Sequence, residues 1–237
     1  MLTGFVPVAQ AISAARQAFA GEDIGYESPS EAAKRYDWMT LAAFLDAAQP
    51  GATARAVLEA AYVTEYGIPL EAQSALNLIM MMSDENLARS AGGDAWALFG
   101  DSDERWKIQG GNQAISETLA ARHRERVRLG WALEAIAERP GGGWRLAFSD
   151  GREVLADVVV CTIPFSVLRR LDLAGVDLPA TKKKAIAELG YGNNAKLLMP
   201  FSARVWEAQG DDGSVYTDLE LQDLWAPEPW VRPAAAC

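Results

Sequence analysis

A lysine inside an otherwise apolar run, Lys196 in "NNAKLLMPF", is the side chain of this 237-residue chain most in need of a chemical explanation. In an extended strand, alternation puts it on one face with Asn194 and Leu198. An unpaired ammonium is costly to bury, so Lys196 either reaches water along its own methylenes or works in a cavity. A second candidate is the pair Gly110 and Gly111 in "WKIQGGNQAISETLA", which follows a short apolar-polar alternation and precedes an amphipathic helix pattern. Backbone N–H groups at a helix start attract phosphate, but glycines there also serve a tight turn or a close backbone approach. Asn112 is a natural N-cap for that helix. A third stretch, Gly190-Tyr191-Gly192-Asn193-Asn194-Ala195, spells the dinucleotide fingerprint G-x-G-x-x-A. Its context is reversed, helix before and strand after, so it reads as a plain turn.

Other chemistries are excluded. His123 is the single histidine, which removes histidine triads and HExxH zinc sites, and no metal site is expected. Between Arg122 and Arg124 it reads as a solvated residue. Two cysteines, Cys161 and Cys237, make no disulfide framework and leave the compartment open. A formal net charge of −10 argues against nucleic acid. Most of the acidic excess lies in the first hundred residues, a solvated face or an attraction for cationic substrates. No apolar run is long enough to span a membrane, and residues 1–20 do not form a signal peptide.

The elements that would position these residues have two textures. Helical spacing predicts helices over Pro7 to Ala20, from Ser28-Pro29 onward, over Leu41 to Ala48, over Ala54 to Tyr66 and over Glu71 to Met82. Thr40 and Thr53 read as N-caps and Gly67 as the left-handed residue past a helix end. Beyond "SAGGDAW" the period shortens toward two. Strands are expected at Trp106 to Gln109, Val127 to Leu129, Ala132 to Glu138, Trp144 to Ser149 and Glu153 to Leu155. "VVVCTI", Val158 to Ile163, reads as a strand buried on both faces and ended by Pro164. Helices are expected at Gln113 to Arg124 and Thr181 to Leu189, and a strand at Asn194 to Phe201.

The succession "ERWKIQGGNQAISETLA", "RVRLGWALEAI", a "DG" hairpin, "ADVVVCTIPFSVLRRL", "LPATKKKAIAELGYGNNAKLLMPF" and "VW" resembles the central part of the flavin-containing amine oxidase family. Upstream, "YDWMTLAAFLDA" and "EYGIPLEAQSALNLI" resemble the helical substrate domain of its bacterial members. The resemblance implies an α+β fold, an α/β FAD-domain fragment with a helical substrate subdomain. It implies three segments: 1–104 as helical substrate subdomain, 105–170 as central FAD domain, and 171–237 returning to the substrate domain. It implies FAD as cofactor, and oxidation of an amine to an imine and aldehyde with reduction of O2 to H2O2. Lys196 then matches the family lysine that holds a water near flavin N5. Leu133 matches a position whose backbone contacts the adenine end of FAD, and Thr162 and Pro164 the segment closing beside the cofactor. Gly110 and Gly111 would turn the chain back into the FAD domain close to the cofactor. Phe99 to Glu104 falls where family members line the substrate cavity.

The departures are equally specific. The N-terminal strand with its G-x-G-x-x-G turn and ribose-binding acid is absent, as is the C-terminal flavin segment. The expectation is the middle of a longer protein, or a truncated frame, whose cofactor site needs a complementary segment or a second copy. L-Amino-acid oxidases and desaturases share these strands and form the alternative enzyme class. A non-catalytic remnant or partner-binding subunit is the alternative of another kind.

Overall fold

The computed structural model describes residues 2–20, 22, 24–25, 30–93, 95–100, 106, 108–217, 219 and 221–226. The fold is mixed α/β, and the chain divides into two compact units. The first joins Met1–Asp103 to Gly192–Cys237, and the second is Glu104–Tyr191. Sequence reading places the first division at 104/105 and the second at 170/171.

Among the described residues six α-helices open the first unit: α1 (Val6–Gln17), α2 (Glu31–Trp38), α3 (Leu41–Ala48), α4 (Ala52–Tyr66), α5 (Ala75–Met81) and α6 (Asp84–Ala91). Their apolar stripes meet in a core that includes Val8, Ile12, Leu45, Leu58, Tyr62 and Ile79, all fully buried. Arg16 of α1 donates to the Met82 carbonyl oxygen at 2.9 Å, supplying a partner at the C-terminal end of α5.

Caps decide where these helices begin, and several differ from expectation. Ser28 and Pro29 lie outside the described residues. The cap of α2 is Ser30, whose Oγ accepts from the Ala33 amide at 3.0 Å. Thr40 caps α3 as expected, accepting from Ala43 at 3.1 Å. Thr53 does not cap α4. That position is taken by Gly51, whose amide donates to the Gly4 carbonyl oxygen at 3.1 Å, a close backbone approach that starts the helix earlier. Gly67 ends α4 in the left-handed conformation, φ 66°.

The expected Glu71 to Met82 helix is two pieces, a 3-10 turn at Leu70–Ala72 and then α5 capped by Ser74. Buried Gln73 separates them, its side-chain amide donating to the Tyr62 and Ile68 carbonyl oxygens. Those bonds favour a break over a continuous helix. The α6 helix was not anticipated, and Ser83 caps it by accepting from the Asn86 amide.

The second unit begins with α7 (Gln113–Arg122), followed by β1 (Leu133–Glu138), β2 (Trp144–Phe148) and β3 (Glu153–Ala156). Then come α8 (Phe165–Leu168), β4 (Asp172–Gly175) and α9 (Ala180–Glu188). The sheet order is β3-β2-β1-β4, antiparallel except for the parallel β1–β4 pair. The meander was legible, because its turns are local. Three other expected strands are not formed in the described residues, at Trp106 to Gln109, Val127 to Leu129 and Val158 to Ile163. Val158 and Val160 are 78% and 83% exposed. A doubly buried strand exists only where neighbours supply partners on its edges and cover its faces, and no described residue does so here. Asn112 occupies the N-cap position of α7 but makes no side-chain cap bond, because its backbone is already helical.

The chain then returns to the first unit. Asn194 to Phe201 is not a strand but an irregular, exposed segment, and the alternation argument for Lys196 lapses with it. A short antiparallel hairpin follows, β5 (Val215–Tyr216) with β6 (Asp223–Leu224). Among the described residues no helix is long and apolar enough to cross a membrane.

Candidate functional site

Within the first unit, Lys196 is placed by the end of α4. Because Gly67 turns left-handed, its carbonyl oxygen is free to accept from the Asn193 amide at 2.8 Å. The Asn194 side-chain amide donates to the Thr64 carbonyl oxygen at 2.6 Å. Gly192 lies directly against the Tyr66 carbonyl, where a Cβ would overlap it. The glycine that mimicked a dinucleotide fingerprint therefore serves a backbone-to-backbone approach. Lys196 emerges two residues after these stitches, with an exposed side chain.

The hairpin supplies its surroundings. Tyr216 and Asp223 are direct partners across β5 and β6, and Trp225 follows Asp223 by two residues. Lys196 Nζ stands 5.0 Å from the centroid of the Trp225 ring, within the range of a cation–π contact. Burial pushes the Asp223 carboxyl above its ordinary value, and the Lys196 charge opposes that rise. Burial likewise raises the Tyr216 phenol, with the Asp223 and Glu65 charges adding to the effect. Tyr66 is raised by burial and by Glu65. Tyr62, fully buried, is raised mainly by burial and donates to the Leu98 carbonyl oxygen at 2.8 Å.

Tyr62, Tyr66, Tyr216, Glu65 and Asp223 thus interact as one aromatic and acidic cluster, with Lys196 at its edge beside Asp223 and the Trp225 ring. Neutral phenols, ring faces and carboxylates are the groups that receive an organic ammonium. Sequence reading singled out Lys196 and missed Tyr62, Tyr66, Tyr216, Asp223 and Trp225. For the two helical tyrosines the i, i+4 spacing was a readable signal. For the hairpin residues there was none, because a turn brings them to the lysine.

The other candidates lie in the second unit. Gly110 and Gly111 both have positive φ, 87° and 90°, and added Cβ atoms there would meet nothing within 4 Å. Gly111 donates to the Ile108 carbonyl oxygen and accepts from the Ala114 amide, leaving an open turn before α7. Leu133 is half-buried, opens β1 and faces Phe148. Thr162 and Pro164 are exposed, and the Pro164 carbonyl oxygen accepts from the Val167 and Leu168 amides to start α8. No described hydrogen bond links Gly110, Gly111, Leu133, Thr162 and Pro164 to one another. Of Phe99 to Glu104, only Phe99 and Gly100 are described.

These features fit part of a bound dinucleotide. Gly110 and Thr162 make no described backbone hydrogen bond and leave groups available to such a ligand, whereas the Gly111 groups and the Pro164 carbonyl are already engaged. Among the described residues no strand, glycine turn and helix in succession forms a pyrophosphate clasp.

Comparison with known proteins identifies the class. Residues 5–231 match the pattern of the flavin containing amine oxidoreductases, and the chain belongs to that family. An L-glutamate oxidase precursor of Streptomyces diastatochromogenes is 30% identical over 163 residues, 55% of this chain and 24% of that protein. Lysine-specific histone demethylase 1 homolog 1 of Arabidopsis thaliana is 30% identical over 105 residues, 44% of this chain and 12% of that one. Among solved structures, putrescine oxidase bound to putrescine superposes with a TM-score of 0.68 at 18% identity, covering 94% of this chain and 48% of that one. Cyclohexylamine oxidase from Brevibacterium oxydans gives 0.54 at 20% identity, covering 77% and 38%. The chain thus spans about half or less of these solved chains and about a quarter or less of the curated relatives.

Proposed function

We propose that this chain forms part of an FAD-dependent oxidase that converts an amine to an imine, released as an aldehyde after hydrolysis, with O2 reduced to H2O2. The observation that carries this reading is the setting of Lys196, whose ammonium stands over the Trp225 ring and beside the Asp223 carboxyl, next to the acidic, phenol-bearing end of α4. When bound, FAD supplies the redox chemistry, accepting two electrons and passing them to O2. The chain's own residues bind and orient. Lys196 Nζ–H groups hold a water, the half-buried Tyr66 and Tyr216 phenols receive the amine, and Gly110, Gly111, Leu133, Thr162 and Pro164 line the dinucleotide.

A second reading, L-amino-acid oxidation, is favoured by the L-glutamate oxidase relative. Such a substrate brings a carboxylate that needs a cation, and Lys196 alone would have to serve it in this acidic cluster. The amine reading is therefore preferred.

The test is peroxide release by FAD-loaded protein containing residues 1–237, given an amine and its parent amino acid side by side. The amine should be oxidised faster. Faster oxidation of the amino acid would select the second reading, and turnover of neither would reject both. Lys196→Met should slow flavin reduction or reoxidation at least tenfold, within the range of a positioned proton-handling group. Unchanged rates would remove Lys196 from the chemistry.

A further inference from the structure

We propose that Trp225 and Asp223 are positioning residues that form a seat for the Lys196 ammonium, an inference that rests on the reading of Lys196 as the working lysine of the site. A lysine on an irregular, exposed segment has a four-carbon stem with many rotamers, and an ammonium that wanders cannot hold a water in one place. Two sets of contacts constrain it here. Its backbone is fixed two and three residues upstream by the Asn194 and Asn193 hydrogen bonds to Thr64 and Gly67. Its ammonium faces the Trp225 ring at 5.0 Å, and tryptophan is the best of the aromatic faces for a cation.

Asp223 strengthens the seat by its register. It sits at the start of β6, two residues before Trp225, close enough to Lys196 for their opposite charges to interact. The hairpin that carries it packs against α4, pairing Asp223 with Tyr216 on β5 and bringing Gln222 to the Thr64 side chain at 3.5 Å. The other charged and titratable groups of the cluster, Glu65 and Tyr66 on α4 and Tyr216 on β5, add one further negative charge. The hairpin thereby locates the lysine head while α4 locates its backbone.

The test needs neither flavin nor turnover. Lysines of the chain are reductively methylated with an isotope label, and the Lys196 resonance is assigned by its loss in Lys196→Arg. The Trp225 ring current should displace it from the Lys183 signal. Trp225→Leu should abolish the displacement and Trp225→Phe should retain part of it. In unmethylated protein, acylation of Lys196 relative to Lys183 should rise about two- to fivefold in Trp225→Leu, the size of one exposed cation–π contact. Asp223→Asn should raise it in the same direction.

An undisplaced Lys196 resonance, or acylation ratios equal in all variants, would overturn the seat. Should Trp225→Leu lose its native amide spectrum, Trp225→Phe and Asp223→Asn carry the decision. Failure of FAD-loaded protein to release peroxide would reject the proposed function while leaving the seat intact, so the two failures are told apart.

Discussion

Tyr62, Tyr66 and Tyr216 all hold their phenolic protons above the ordinary value of 10.0, first because they are buried and then because acidic neighbours repel a phenolate. Above pH 10 the unfolded chain releases these protons while the folded chain keeps them. The unfolded state then binds fewer protons, so stability falls as pH rises through this range. We expect the phenolate absorbance of the fully buried Tyr62 to appear only together with loss of helical circular dichroism, so that not all six tyrosines titrate in the folded protein. Titration of all six in still-folded protein would contradict the burial argument. Asp223 behaves alike at the acid end. Its folded value is raised above 3.8, so both states are protonated below that value and the unfolded state ionises first as pH rises. Its contribution to stability therefore declines with rising pH just above 3.8, and Asp223→Asn should flatten that part of the stability profile.

At the scale of elements, what could be read from sequence was what is settled locally. Thr40 caps α3 and Gly67 ends α4, because one side chain or one backbone angle decides each. The three-stranded meander followed from its turns. By contrast "VVVCTI" carries strong β-propensity, yet a strand forms only with a neighbour, and none of the described residues provides one. Ser30 rather than Ser28 caps α2, and Gly51 rather than Thr53 precedes α4, since tertiary contacts choose among plausible caps. Lys196 stood out as a charge in an apolar run, but its partners did not, because Asp223 and Trp225 reach it only through a folded hairpin. The junction at Gly67 gives a direct prediction. Gly67→Ala places a Cβ 2.6 Å from the Asn193 backbone nitrogen in a left-handed conformation, so neither strain nor overlap is relieved by a rotamer. We expect a loss of more than about 1 kcal/mol in denaturant unfolding, with faster acylation of Lys196 as its anchor loosens.

At the scale of the whole molecule, the two units differ in how much core they own. The helical unit buries a continuous set of side chains, whereas Ile136, Leu168 and Ile186 are the buried apolar residues of the described part of the second unit. That unit exposes Trp106, Leu129, Val158 and Val160, and apolar groups so displayed mark interfaces or association. We expect concentration-dependent self-association of residues 1–237 in size-exclusion chromatography. The pair Val158→Thr and Val160→Thr should reduce it while changing stability by less than about 0.5 kcal/mol per site, because both side chains are already in solvent. Monomeric elution of the parent chain at every concentration would refute this.

The first unit is made from two pieces of chain with residues 104–191 between them. During synthesis the six helices emerge early, and the end of α4 must wait for Gly192–Asn194 until the intervening unit has left the ribosome. Closing such a loop grows harder only with the logarithm of its length, about 0.6 kcal/mol per doubling. The inserted unit can therefore lengthen, shorten or be exchanged with little effect on the helical scaffold. The Gly67–Asn193 stitch marks the place where such exchange would be tolerated or fail.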